Sequence, residues 1–145
     1  MTLLIATNIN EVGISLLDFF SIGHVCMGIG MFLFFSLIYS FFKKTDFKSS
    51  LYCSFLLSIA GAIVWELIEN ILFINWGLKF GNVRDSIFNL VSDMFFVGMG
   101  AFFMMVLRFR FDKLKNKIFD YYLVGILIFL FYILLYFLFR YLTLN

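Results

Sequence analysis

The chain has 145 residues, enough for one domain and too few for two. Apolar residues make up 63% and charged residues 14%, against about 45–50% and about 25% in soluble domains, and the mean hydropathy is +1.03. A soluble domain this small cannot hide that much hydrocarbon, so the composition implies a membrane protein; the net charge of +2, with basic residues confined to short links, excludes a stripe that tracks phosphates, and no nucleic-acid partner is expected.

Residues 1–18 lack a basic n-region and a small-residue cleavage site, which argues against a removable signal peptide and for an arm or short interfacial helix. Asp18 is placed to cap the helix that follows. Four apolar stretches then reach the roughly 20 residues needed to cross ~30 Å of hydrocarbon: about 19–42, 51–76, 87–107 and 118–142. The links 43–50, 77–86 and 108–117 are short and polar, so neighbouring spans should pack antiparallel. The expected fold is all-α, a polytopic four-transmembrane-helix bundle with short loops, residues 1–145 forming a single membrane domain. Proline is absent, which suits uninterrupted helices.

Cys26 and Cys53 fall in apolar runs near opposite faces of the bilayer and read as packed thiols rather than a disulfide. Gly28, Gly30, Gly61, Gly98 and Gly100, with Ser58, Ala60 and Ala101, are small residues that let helices approach closely. The fourth span has Asp120 at one end and Arg140 at the other, with little polar between them except tyrosines, and reads as a packing or lipid-facing helix. Lys43, Lys44, Lys48, Arg108, Arg110, Lys113, Lys115 and Lys117 lie in links one and three, whereas only Lys79, Arg84 and Arg140 lie on the other side. By the positive-inside rule the first group is cytoplasmic, and both termini and the 77–86 loop are on the outer side of the cell (inner, cytoplasmic) membrane.

The ionisable residues inside the spans carry the chemistry, because a charge at mid-membrane costs about 2.5–3.5 kcal/mol and persists mainly where it works or is paired. At about 1.5 Å per residue, His24 lies about 8 Å from the outer end of span one, Glu69 about 10 Å and Glu66 about 15 Å from that of span two, and Asn89 about 4 Å and Asp93 about 10 Å from that of span three. Glu66, Glu69 and Asn70 share an i, i+3, i+4 stripe, and Asp85, Asn89 and Asp93 an i, i+4, i+8 stripe. Both stripes and His24 can turn inward together. Four carboxylates would then face Arg84 as the one full-time cation nearby, and the excess charge must be met by protons, by a bound divalent metal ion or by water. Ser86 and Ser92 flank the acidic stripe without an evident base and read as hydrogen-bonding support.

WELIEN (65–70) followed by RDSIFNLVSD (84–93) resembles the DUF2585 (UPF0314) family of bacterial inner-membrane proteins, whose pattern runs S-H-x-x-H-G, W-E-x-x-E-N and G-D-S-x-x-N-S-x-S-D. The likeness covers about residues 23–105; His24 and Gly28 match the first element, Met27 stands where the family has a second histidine, Arg84 where it has glycine and Leu90 where it has serine. The resemblance implies the membrane fold and this set of polar residues, and no reaction. Acidic residues under an outer membrane face are also similar to the aspartyl lipoprotein signal peptidases and VanZ-type proteins.

The leading functional expectation is a metal- or carboxylate-dependent hydrolase acting on a lipid or lipid-linked substrate. Glu66, Glu69, Asp93 and His24 would be acid–base groups or metal ligands, with Asn70, Arg84, Asp85 and Asn89 binding or orienting. The alternative is a non-enzymatic accessory or scaffold subunit, a homo-oligomer or part of a membrane complex, whose polar core fixes helix register. Ion conduction fits less well, since the polar residues stop at half depth.

Overall fold

The computed structural model describes residues 4–6, 9–41, 46–114 and 118–144. Four helices dominate it: α1 (Phe19–Phe41), α2 (Phe47–Leu67), α3 (Ile87–Lys113) and α4 (Ile118–Leu144). All four are long and apolar enough to cross a membrane, with α2 continuing through Phe73. No strand occurs among the described residues, and the helices pack together as a bundle. Lys43, Lys44, Lys115 and Lys117, which carry half of the basic side of the charge asymmetry, lie outside the described residues.

Capping chemistry sets where the first three helices begin. Asp18 Oδ1 accepts from the backbone N–H groups of Phe20 (2.8 Å) and Ser21 (3.2 Å), as its position implied. Asp46 Oδ2 accepts from Ser49 N–H at 3.4 Å, and Ser86 Oγ from Asn89 N–H at 3.1 Å. The Asp46 cap starts α2 four residues before the expected Leu51. At the other end of that span the backbone widens into a π-helical turn, Ile68–Phe73. Helical bonding persists to Trp76, whose N–H reaches Leu72 O at 3.0 Å, and Gly77 (φ +65°) ends it.

The third span outruns its apolar stretch. Hydropathy places its end at Leu107, yet α3 winds on to Lys113, so most of the 108–117 link is helix. Apolar patterning marks the membrane and not the helix, and the basic residues of the last turns suit the carbonyl end of the dipole. Arg108 also lies over the rings of Phe47 (5.3 Å) and Tyr121 (5.2 Å), tying α3 to the starts of α2 and α4.

In the bundle, α1 and α3 form the closest pair, and each also packs on α2 and on α4, whereas α2 and α4 make little contact with one another. The α1–α3 contact depends on two glycines: a Cβ on Gly28 would stand 2.1 Å from Val97 O, and one on Gly100 2.2 Å from Val25 O. Ile29, Phe32, Leu33, Leu51, Ala101, Met104 and Tyr121 form the buried core. On α4 only Tyr121 and Gly125 are buried, and most of its Phe and Leu side chains face outward, as a lipid-facing helix requires. Cys26 is buried, Cys53 partly so, and both are free.

The arm folds over the end of the bundle where α1 and α3 begin. Ala6 N–H bonds Leu17 O (2.8 Å), Ser86 N–H bonds Gly13 O (2.8 Å), and Ser86 Oγ donates to Ile14 O (3.0 Å). Gly13 takes φ +77° here, a conformation that L side chains rarely adopt, and its flank faces Asp85.

Candidate functional site

His24 on α1, Glu66 on α2 and Asp93 on α3 converge in the end of the bundle that holds both termini of the chain's helices and the 77–86 loop. His24 Nε2 lies 3.2 Å from Glu66 Oε1, and Nδ1 lies 3.1 Å from Asp93 Oδ1. The three residues are 7%, 4% and 2% exposed, so their polar atoms depend on one another rather than on water. One potential ligand atom from each lies within 4.8 Å of the others.

The two histidine contacts are not equivalent. His24 Nδ1 and Asp93 Oδ1 are buried atoms without a hydrogen bond among the described residues, although they lie only 3.1 Å apart. With nitrogen from one helix and carboxylate oxygen from two, the donor set fits a divalent ion, whose charge would also offset the buried acids.

A second network adjoins the first and contains a residue that sequence reasoning left out. Lys79, only 8% exposed, donates from Nζ to Asn70 Oδ1 at 2.8 Å, makes an ion pair with Asp85 Oδ2, and lies 3.8 Å from Glu69 Oε1. Asn70 Nδ2 donates to Asp85 Oδ2 (2.9 Å), to Glu66 Oε2 (3.2 Å) and to Glu66 O (3.2 Å). Asp85 N–H returns a bond to Asn70 Oδ1 at 3.0 Å. The π turn holds Glu69 and Asn70 at the widest part of the span, where the Asn70 amide can join both networks.

Two expectations are corrected by this arrangement. Arg84 is exposed and joins none of the ion pairs among the described residues; the nearby cation is Lys79, brought back by the turn that Gly77 starts. The Asp85, Asn89, Asp93 stripe also divides, because Ser86 caps α3 and helical periodicity begins only at Ile87. Asp93 faces His24 and Asp85 faces Lys79, while Asn89 Nδ2 donates to Ser15 O at 3.0 Å and approaches Asp18 Oδ2 at 3.5 Å. Asn89 thus fastens the arm rather than touching the His24 cluster. Lys79 was legible only as a lysine in a short outer loop, and nothing in the local sequence distinguishes it from a solvated one.

Asp18 joins the acids at this end. It is 8% exposed, and its Oδ2 accepts from Gly13 N–H at 2.9 Å. Burial pushes its carboxyl above the usual carboxylate range, against the opposing pull of the backbone donors Gly13, Phe20 and Ser21. Asp18, Glu66, Glu69, Asp85 and Asp93, all buried or half-buried, are thereby gathered at this end of the bundle with Lys79 and His24.

A cavity of about 430 Å³ opens beside the cluster, lined among others by His24, Glu69, Lys79, Arg140, Trp65 and Tyr136. It lies on the face of α1 between α2 and α4, which make little contact with one another, and the Leu78–Phe80 segment also lines it. Phe80 stacks edge-on to Phe19 (5.7 Å) and Phe20 (5.8 Å), and Tyr136 lies 6.0 Å from Phe19. Glu66 and Asp93 are set behind His24, whereas Glu69 reaches the cavity itself. No family model, curated protein or solved structure matches the chain.

Proposed function

We propose that this chain is a membrane-embedded hydrolase acting on a lipid or lipid-linked substrate, at a site on the outer side of a bacterial inner membrane with both termini on that side. The observation that carries the reading is the meeting of His24, Glu66 and Asp93 from three helices against a cavity that also exposes Glu69. The orientation rests on the eight-to-three split of basic residues between the two sides. The W-E-x-x-E-N and D-S-x-x-N-x-x-x-D elements, which resemble DUF2585, supply five of the residues involved: Glu66, Glu69, Asn70, Asp85 and Asp93.

In this reading Glu69 is the general base. Its side chain is 17% exposed, compared with 4% for Glu66, and it borders the cavity where a water would stand. Glu69 takes a proton from that water as the water oxygen bonds to the scissile centre. The bond to the leaving oxygen breaks, and that oxygen receives the proton that Glu69 took from the water. Asn70 and Lys79 hold Glu69 and Asp85 in register, and Asp93 and Glu66 orient His24. His24, Glu66 and Asp93 would hold a divalent ion, which would supply Lewis-acid charge to the site when bound.

Elemental analysis of the detergent-purified protein tests the centre. A stoichiometric divalent metal that is lost in Glu66→Gln and Asp93→Asn, with the bundle still helical and monodisperse, is the expected result. Unchanged metal content and unchanged turnover in both variants would reject it. A second reading, an accessory subunit in a membrane complex, draws on the long outward apolar face of α4. It predicts that Glu66→Gln with Glu69→Gln lowers stability alone and that the protein copurifies with a larger assembly.

A further inference from the structure

Resting on the hydrolase reading, the next question is what the cavity holds. Its charged lining is His24, Glu69, Lys79 and Arg140. Lys79 is committed to Asp85 and Asn70, and His24 lies between Glu66 and Asp93. Arg140 stands apart: it is half-buried, its guanidinium carbon is 6.0 Å from the Phe80 ring centroid, and no ion pair among the described residues involves it. An arginine that only sought water at a helix end would extend beyond the bundle; this one lines the cavity beside an aromatic ring. The groove lies over α1 with α2 on one side and α4 on the other, two helices that make little contact with one another, and its walls include Trp65 and Tyr136.

We propose that this groove takes a single long-chain lipid bearing a terminal phosphate monoester, which enters sideways from the surrounding leaflet. Arg140 anchors the phosphate through the paired donors of its guanidinium. The aromatic walls hold the first part of the hydrocarbon chain, and the remainder stays in lipid. Glu69 disfavours an anion placed deep in the cavity, so the phosphate belongs at the Arg140 end with the adjoining bond presented to the acids. Lys79, already neutralised by Asp85, supports the site without competing for the ligand.

The two tryptophans allow a binding test free of turnover. Trp65 lines the cavity, whereas Trp76 is 63% exposed and does not, so Trp76→Phe leaves a single reporter at the site. In phosphatidylcholine nanodiscs, chain-brominated phosphatidic acid should quench Trp65 with about tenfold preference over brominated phosphatidylcholine or diacylglycerol, a difference of about 1.4 kcal/mol. Arg140→Gln should abolish that preference, and Arg140→Lys should retain part of it, with circular dichroism confirming that both remain helical. Equal quenching by the three lipids, or a preference that survives Arg140→Gln, would overturn the proposal. Displacement by millimolar inorganic phosphate would also overturn it, since the ligand would then be the free anion. Selective quenching without metal or hydrolysis would remove the proposed chemistry and leave the lipid site; metal-dependent turnover with unselective quenching would do the reverse.

Discussion

His24 Nδ1 stands 3.1 Å from Asp93 Oδ1 across the α1–α3 interface, and neither atom completes a hydrogen bond. Leaving two such groups buried and unbonded costs about 1–3 kcal/mol each, and the cation proposed above would satisfy both. Incubation with a chelator should therefore lower the melting temperature of the wild-type protein, because an ion bound only by the native state stabilises it by mass action. Asp93→Asn should bind the ion at least about tenfold more weakly and show little response to the chelator. Thermal unfolding followed by circular dichroism with and without EDTA decides this, and an identical chelator response in both proteins would count against a metal at these atoms.

Lys79 has a different role, since its ammonium is buried with Asp85 and Asn70. Removing one partner of such a pair leaves the other charge stranded, a loss of about 3–5 kcal/mol. Lys79→Met should be strongly destabilising, and adding Asp85→Asn should recover much of the loss. Denaturation in mixed micelles compares the single and double variants; a double variant as unstable as the single would show that packing rather than charge holds Lys79.

At Gly28 and Gly100 the neighbouring atoms are backbone carbonyls, which cannot swing aside. Gly28→Ala and Gly100→Ala should each push α1 from α3 and destabilise by about 1–3 kcal/mol. Gly98→Ala is the control, because its Cβ would meet only Ile59 Cδ1 at 3.4 Å. Equal melting temperatures for Gly28→Ala and Gly98→Ala would contradict the close approach.

Asp18 gives the bundle a pH dependence of definite sign. Its carboxyl is raised in the folded protein by burial, so the native state holds the proton more tightly than the unfolded chain does. The stabilisation from this group is present below the ordinary carboxylate value and is lost as pH rises through the raised one. The melting temperature of Asp18→Asn relative to wild type should thus climb as pH increases above about 4 and then level off. A difference that stays constant from pH 4 to 7, or moves the other way, would show that the buried carboxyl is not raised.

The sequence by itself determined the membrane fold, the spans and the slab in which the acids lie, because apolar length and helical periodicity are local properties of the chain. His24, Glu66 and Asp93 were visible for the same reason: a charge inside an apolar run stands out against its neighbours. Asp18 was readable as a cap from its place just before α1. Only the tertiary structure decided how the acids divide. Ser86 interrupts the periodicity that linked Asp85 to Asp93, the π turn sets Asn70 between the two networks, and a loop returns Lys79 into the cluster where Arg84 was expected. Partnership between a loop lysine and a buried aspartate depends on chain reversal and on which face α2 presents to α3, and neither leaves a period in the sequence.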